Sequence, residues 1–77
     1  MCVTNRIREF RFFADQMTQQ ELARRVGVSR QTIVAIENAK YSPTLELAFK
    51  IAAVFSEPIG EVFAYQREET GTEPSDD

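Results

Sequence analysis

Residues 29–38, "SRQTIVAIEN", set Arg30, Gln31 and Thr32 directly after Ser29. A guanidinium is a rigid fork of donors, a carboxamide carries both donors and an acceptor, and a hydroxyl does either. Three such groups in consecutive positions can match the hydrogen-bonding edge of a planar partner. Covalent or acid–base chemistry is a poorer fit. The 77 residues include no histidine, so no nucleophile–base pair is available, and the carboxylates are scattered rather than paired. The single cysteine, Cys2, rules out a disulfide within the chain and, without histidine, makes a Cys/His zinc site untenable. Nothing basic flanks Cys2 to lower its pKa, so it reads as a small apolar residue. No metal, cofactor or catalysis is expected.

These side chains act together only if a helix carries them. Ser29 is a suitable cap, and Ile33 and Ile36 give the helix an apolar face. With those two inward, Arg30, Gln31, Val34, Ala35 and Asn38 form the outward stripe at 3.6-residue spacing. Upstream, Thr18-Gln19-Gln20-Glu21 reads as a capping box, followed by the buried face Leu22, Ala23 and Val26. Gly27 can take the left-handed conformation that ends this helix, and Val28 with Ile33 can form a hydrophobic staple. The turn "VGVS" is so short that the two helices must cross steeply. Such a crossing needs a small residue at the contact (Ala23), a glycine in the turn (Gly27) and a plug from the second helix (Ile33). That is the helix-turn-helix unit.

Around it, residues 6–16 place Ile7, Phe10 and Ala14 at helical spacing for a first helix. "YSPT" (41–44) breaks the pattern. Leu45, Ala48, Phe49, Ala52, Val54 and Phe55 then make a mostly apolar fourth helix, expected at the centre of the core. Pro58 suits the start of a short fifth helix ending near Phe63. "VFAYQ" (62–66) alternates like a strand, and "CVT" (2–4) can pair with it. The expected fold class is all-α, a five-helix bundle with a small two-stranded antiparallel sheet from its terminal segments.

The net charge of −3 is unevenly spread. Residues 68–77, "EETGTEPSDD", hold five acids and no base, which leaves residues 1–67 at +2. Two regions follow: a helix-turn-helix domain over 1–67 and an acidic tail over 68–77, expected to be disordered. No apolar run approaches membrane-spanning length and no signal-peptide pattern precedes the first polar residues, so a cytoplasmic protein is expected.

In a helix-turn-helix the N-terminal end of the second helix enters the DNA major groove. Arginine matches the O6/N7 edge of guanine, glutamine the N6/N7 edge of adenine, and Val34 and Ala35 can touch a thymine methyl. Double-stranded DNA is therefore the expected partner. At this point "TQQELARRVGVSRQTIVAIENAKYSPTLELAFKIAAVF" resembles the Cro/CI-type (Xre) helix-turn-helix regulators, in particular compact single-domain members such as the cytolysin repressor. The resemblance implies a lambda-repressor-like five-helix fold and a DNA-binding homodimer. It implies that Gln19 and Ser29 lie at the DNA, Gln19 holding a phosphate or reaching a base. Arg30, Gln31 and Thr32 would read the groove, with Ala35 facing it, while Asn38, Lys40, Tyr41 and Thr44 would grip the backbone. Arg11 and Glu37 match a buried ion pair between the first and third helices. The chain departs from the family at several positions. Ala39 stands where a glycine is usual, "RFFADQM" is one residue longer with Phe12 and Phe13 in place of charges, and Ser56 and Gly60 replace a turn glycine and a helix former.

One recognition helix reads few base pairs, so a two-fold dimer on a near-palindromic operator is expected. Ile59, Val62, Phe63 and Tyr65, on an element too short to bury them, are its expected interface. The function read from the sequence is a sequence-specific transcriptional regulator, acting as a repressor. An alternative reading is an antitoxin-like module that holds a protein partner through Phe12 and Phe13, with DNA binding secondary.

Overall fold

The computed structural model describes residues 2–66. Its elements in order are β1 (Cys2–Asn5), α1 (Ile7–Phe13), α2 (Gln19–Val26), α3 (Arg30–Glu37), α4 (Leu45–Val54), α5 (Ile59–Val62) and β2 (Phe63–Gln66). The two strands pair antiparallel, Cys2 opposite Gln66 and Asn5 opposite Phe63. Five helices and a terminal sheet are thus what the chain forms; the acidic segment 68–77 lies outside the described residues.

Local chemistry sets the helix starts. The Thr18, Ser29 and Thr44 hydroxyls accept from the backbone N–H three residues on, at 3.0, 3.2 and 3.2 Å. Each such cap satisfies one donor that the helix itself cannot. The capping box forms only by half. The Glu21 carboxylate turns away from Thr18 to Arg24 and Arg25, and these guanidiniums, Arg25 first, hold it below the usual carboxylate range. α1 starts differently: Asn5 Oδ1 accepts the Ile7 N–H at 3.1 Å, an Asx turn.

The helix ends are less conventional. Gly27 is left-handed at φ 80° with open space where a Cβ would stand, so glycine is needed there for conformation and not for room. Four other left-handed residues are not glycine: Asp15, Gln16, Ala39 and Ser56. Asp15 and Gln16 stop α1 at Phe13, three residues short of the sequence expectation. α3 and α4 close alike. Lys40 N–H reaches back to Ala35 O at 2.9 Å and Ala39 N–H to Ile36 O at 3.0 Å; Glu57 and Ser56 do the same to Ala52 and Ala53. This is a Schellman closure with alanine or serine at the position glycine favours. Left-handed backbone costs an L-residue about 1–2 kcal/mol. Ala39→Gly is therefore expected to stabilise the protein by about 0.5–1 kcal/mol after the added unfolded-state entropy. Thermal denaturation checks it, as a rise of about 2–8 °C.

The core is one cluster: Ile7, Leu22, Ala23, Val26, Ile33, Ile36, Leu47, Ile51, Ala52 and Val62. Two expectations are corrected here. Leu45 and Phe49 are not core residues; α4 buries Leu47, Ala48, Ile51 and Ala52, and leaves Leu45 and Phe49 exposed. Val62 is not surface but fully buried, so it belongs to the fold and not to an interface between copies. Phe12 and Phe13 are exposed as well, packed edge to face against each other.

Candidate nucleic-acid interface

α2 and α3 pack against each other across the short turn, with Ala23 and Ile33 wholly buried. α3 then projects its outward face. Gln31 and Asn38 are exposed on it, Val34 and Ala35 are half-buried between them, and Arg30 and Thr32 stand on opposite flanks. Thr32 shares a hydroxyl contact of 3.1 Å with Ser29, so both are engaged in the cap. Thr44 is likewise engaged as the cap of α4. Lys40 and Tyr41 stand exposed in the α3–α4 loop, beside the C-terminal end of α3.

Behind Arg30 runs a connected polar network. Arg11 grips Glu37 with two bonds, Nε to Oε2 at 2.7 Å and Nη2 to Oε1 at 3.1 Å. Its third donor, Nη1, reaches Met17 O at 2.8 Å. Gln19 Nε2 donates to Glu37 Oε1 at 3.2 Å, and Arg30 Nη1 donates to Gln19 Oε1 at 3.4 Å. The Glu37 side chain is 2% exposed and that of Arg11 15%. The pair is thus buried, as the resemblance implied. Gln19 is half-buried and turned into this network, so it supports Arg30 as well as lying at the edge of the face.

The charges that remain available are few. Arg6, Arg11, Arg24, Arg25 and Lys50 are all in ion pairs. Among the described residues the cations outside any ion pair are Arg8, Arg30 and Lys40, and the last two flank the α3 face. Asn5 is a positioning residue that the sequence reading missed. Its Nδ2 donates to Ile36 O at 2.8 Å while its Oδ1 caps α1, fixing the end of α3 against β1. An asparagine two residues before a helical run was the available signal.

Residues 7–62 match the family described as helix-turn-helix, HTH_3. The chain belongs to this Cro/CI-type family. It is similar to an HTH-type transcriptional regulator of Archaeoglobus fulgidus, 55% identical over 83% of this chain and 89% of that one. It is also similar to the cryptic phage CTXphi transcriptional repressor RstR of Vibrio cholerae, 36% identical over 77% of this chain and 52% of that one. A crystal structure of a protein from Bacteroides fragilis described as DNA-binding superposes with a TM-score of 0.70 at 26% identity, covering 80% of this chain and 98% of that one. The protein is accordingly a transcriptional regulator with a helix-turn-helix DNA-binding domain, and its family are not enzymes. No helix of the described residues is long and apolar enough to cross a membrane.

Proposed function

We propose that the protein is a homodimeric, sequence-specific repressor that occupies a near-palindromic operator, each copy placing the N-terminal end of α3 in a major groove. The observation that carries this reading is the segregation of unpaired charge. Five described cations are neutralised within the fold, and two of the remaining three bracket a face of free amides and small apolar side chains. Gln31 and Asn38 make no side-chain hydrogen bond among the described residues, so their donors and acceptors are open to base edges or phosphates. Arg30 and Gln31 read bases; Lys40, Tyr41 and Asn38 hold the backbone. Ser29 and Thr44 act first as caps that set the geometry, Thr32 bonds to the Ser29 cap, and all three present hydroxyl groups at its margin. That RstR is named a repressor supports repression over activation. Ile59, Phe63 and Tyr65 remain on the dimer side of the molecule.

Selection of bound sites from random duplexes, followed by titration at increasing salt, tests the reading. The logarithm of the binding constant is expected to fall linearly with the logarithm of salt concentration, because phosphate contacts release condensed counterions. A flat response, or selected pools with no common sequence, overturns it. Roles within the face separate in the same assay. Arg30→Ala or Gln31→Ala is expected to lose about 1–3 kcal/mol of discrimination between operator and scrambled duplex. Lys40→Ala is expected to weaken both alike and to lower the salt slope by about 1. Equal narrowing by Lys40→Ala would reverse the assignment.

A further inference from the structure

The outward face of α3 is flanked by cations that have no counterion in the fold. Arg30 and Lys40 are outside every ion pair among the described residues, whereas Arg6, Arg11, Arg24, Arg25 and Lys50 are each matched to a carboxylate. The one acid of α3, Glu37, has a side chain only 2% exposed and is spent on Arg11. Unmatched carboxylates are concentrated elsewhere in the chain. Residues 68–77 carry Glu68, Glu69, Glu73, Asp76 and Asp77, and no base. The sheet sets where that segment starts. β2 pairs Phe63 with Asn5 and Gln66 with Cys2, and Asn5 Nδ2 donates to Ile36 O at 2.8 Å, at the end of α3 from which Lys40 follows. Gln66 is therefore about 10 Å along the strand from that contact. Arg30 lies about 10 Å from the same contact, along α3. The residues that follow Gln66 can span up to about 40 Å, so both cations are within their reach.

We propose that the acidic segment 68–77 docks on Arg30 and Lys40 and competes there with DNA, so that the chain lowers its own affinity for duplex. This rests on the reading of the α3 face as the DNA surface. A carboxylate meets a guanidinium or an ammonium with the same charge-assisted hydrogen bonds as a phosphate oxygen, so one occupant excludes the other. A competitor in the same chain acts at an effective concentration on the order of millimolar, however dilute the protein. Exposed ion pairs are individually weak and screened by salt, so the segment tunes affinity without abolishing it. Because it stabilises the unbound protein, it weakens binding to operator and to random duplex by one common factor. Arg8, the third described cation outside an ion pair, stands alone on α1 and has no second cation of this kind beside it. The α3 face has two, and it is the site to which five carboxylates are matched.

The full chain with its five acids replaced by their amides (Glu68→Gln, Glu69→Gln, Glu73→Gln, Asp76→Asn and Asp77→Asn) tests the proposal by two readouts. In titrations at low salt the neutralised protein is expected to bind random-sequence duplex and selected operator about two- to tenfold more tightly than wild type. The gain is expected to shrink as salt rises. Adding Arg8→Ala is expected to preserve the gain, and adding Arg30→Ala/Lys40→Ala to remove it. In amide NMR spectra recorded without DNA, neutralisation is expected to shift resonances of residues 30–41 and to leave those of α1 in place. The same spectra report that each variant is folded. Unchanged duplex affinity, or unchanged resonances over 30–41, overturns the proposal. A gain that survives Arg30→Ala/Lys40→Ala overturns it too, since repulsion between the acids and DNA then accounts for the effect. If wild type and the neutralised protein both fail to bind duplex, the DNA reading of the face fails, and the shifts over 30–41 alone decide whether the segment docks there.

Discussion

Glu37→Ala is expected to destabilise the fold by about 3–5 kcal/mol, and by more than replacement of Arg11 and Glu37 together by apolar residues. The reason is the asymmetry of buried charge. Removing Glu37 leaves a guanidinium that is 15% exposed without its carboxylate, holding only its bond to Met17 O. An unpartnered buried charge carries that penalty, whereas replacing both partners leaves nothing ionised to desolvate. The double variant still loses the Arg11 bond to Met17 O and the Gln19 bond to Glu37, each worth about 1 kcal/mol, so it is not neutral. A small domain has on the order of 5–10 kcal/mol to lose, so the single variant is expected to give up a large share of its stability. Urea denaturation of the four proteins of a double-mutant cycle measures the coupling. Additive effects would remove the pair from the list of structural determinants.

Under the proposed homodimer, loss of operator affinity on its disruption is the second large effect expected. Ile59→Asp is expected to weaken binding to a full operator by about 10²–10⁴-fold while leaving affinity for an isolated half-site nearly unchanged. Two recognition helices held in one body convert the second contact into an intramolecular one, and that gain requires no new contact. Gel-shift titrations on full and half operators separate the two quantities. Equal loss on both would show that the substitution had damaged the DNA face itself. Retained full-operator affinity by a monomer would falsify the two-fold docking.

Which parts of this could be read from residue types follows from how local the determinants are. Thr18, Ser29, Gly27, Ala23 and Ile33 act within a few residues of one another, so the α2–α3 unit was legible in full. The end of α1 was not. Asp15 and Gln16 adopt left-handed backbone without the glycine that ordinarily announces it, and the helix stops early as a result. α4 misled for the opposite reason. "LELAFKIAAV" is apolar nearly all round, so periodicity placed the helix at the core but could not say which apolar side was inward. Val62 was misplaced because a four-residue helix has too little pattern to show a face. In the site, the outward stripe of α3 was visible from Ile33 and Ile36. The chain from Arg30 through Gln19 to Glu37 was not, since it joins positions 11 and 18 apart through a fold that only the packing supplies.

The closure of α3 without help from the side chains of its own C-terminal end has a consequence for how this regulator can change. Main-chain N–H groups of Ala39 and Lys40 satisfy the last carbonyls, and Asn5 takes the remaining acceptor site on Ile36. Asn38, Lys40 and Tyr41 are therefore spared any structural duty, and Gln31 at the other end of the helix is equally unencumbered. Exposed substitutions of that kind ordinarily alter stability by no more than about 0.5 kcal/mol. Gln19, Thr32 and Glu37, by contrast, are committed to the cap and the buried network. Under the proposed function, the positions that set operator preference are therefore ones whose replacement leaves intact the scaffold that aims them.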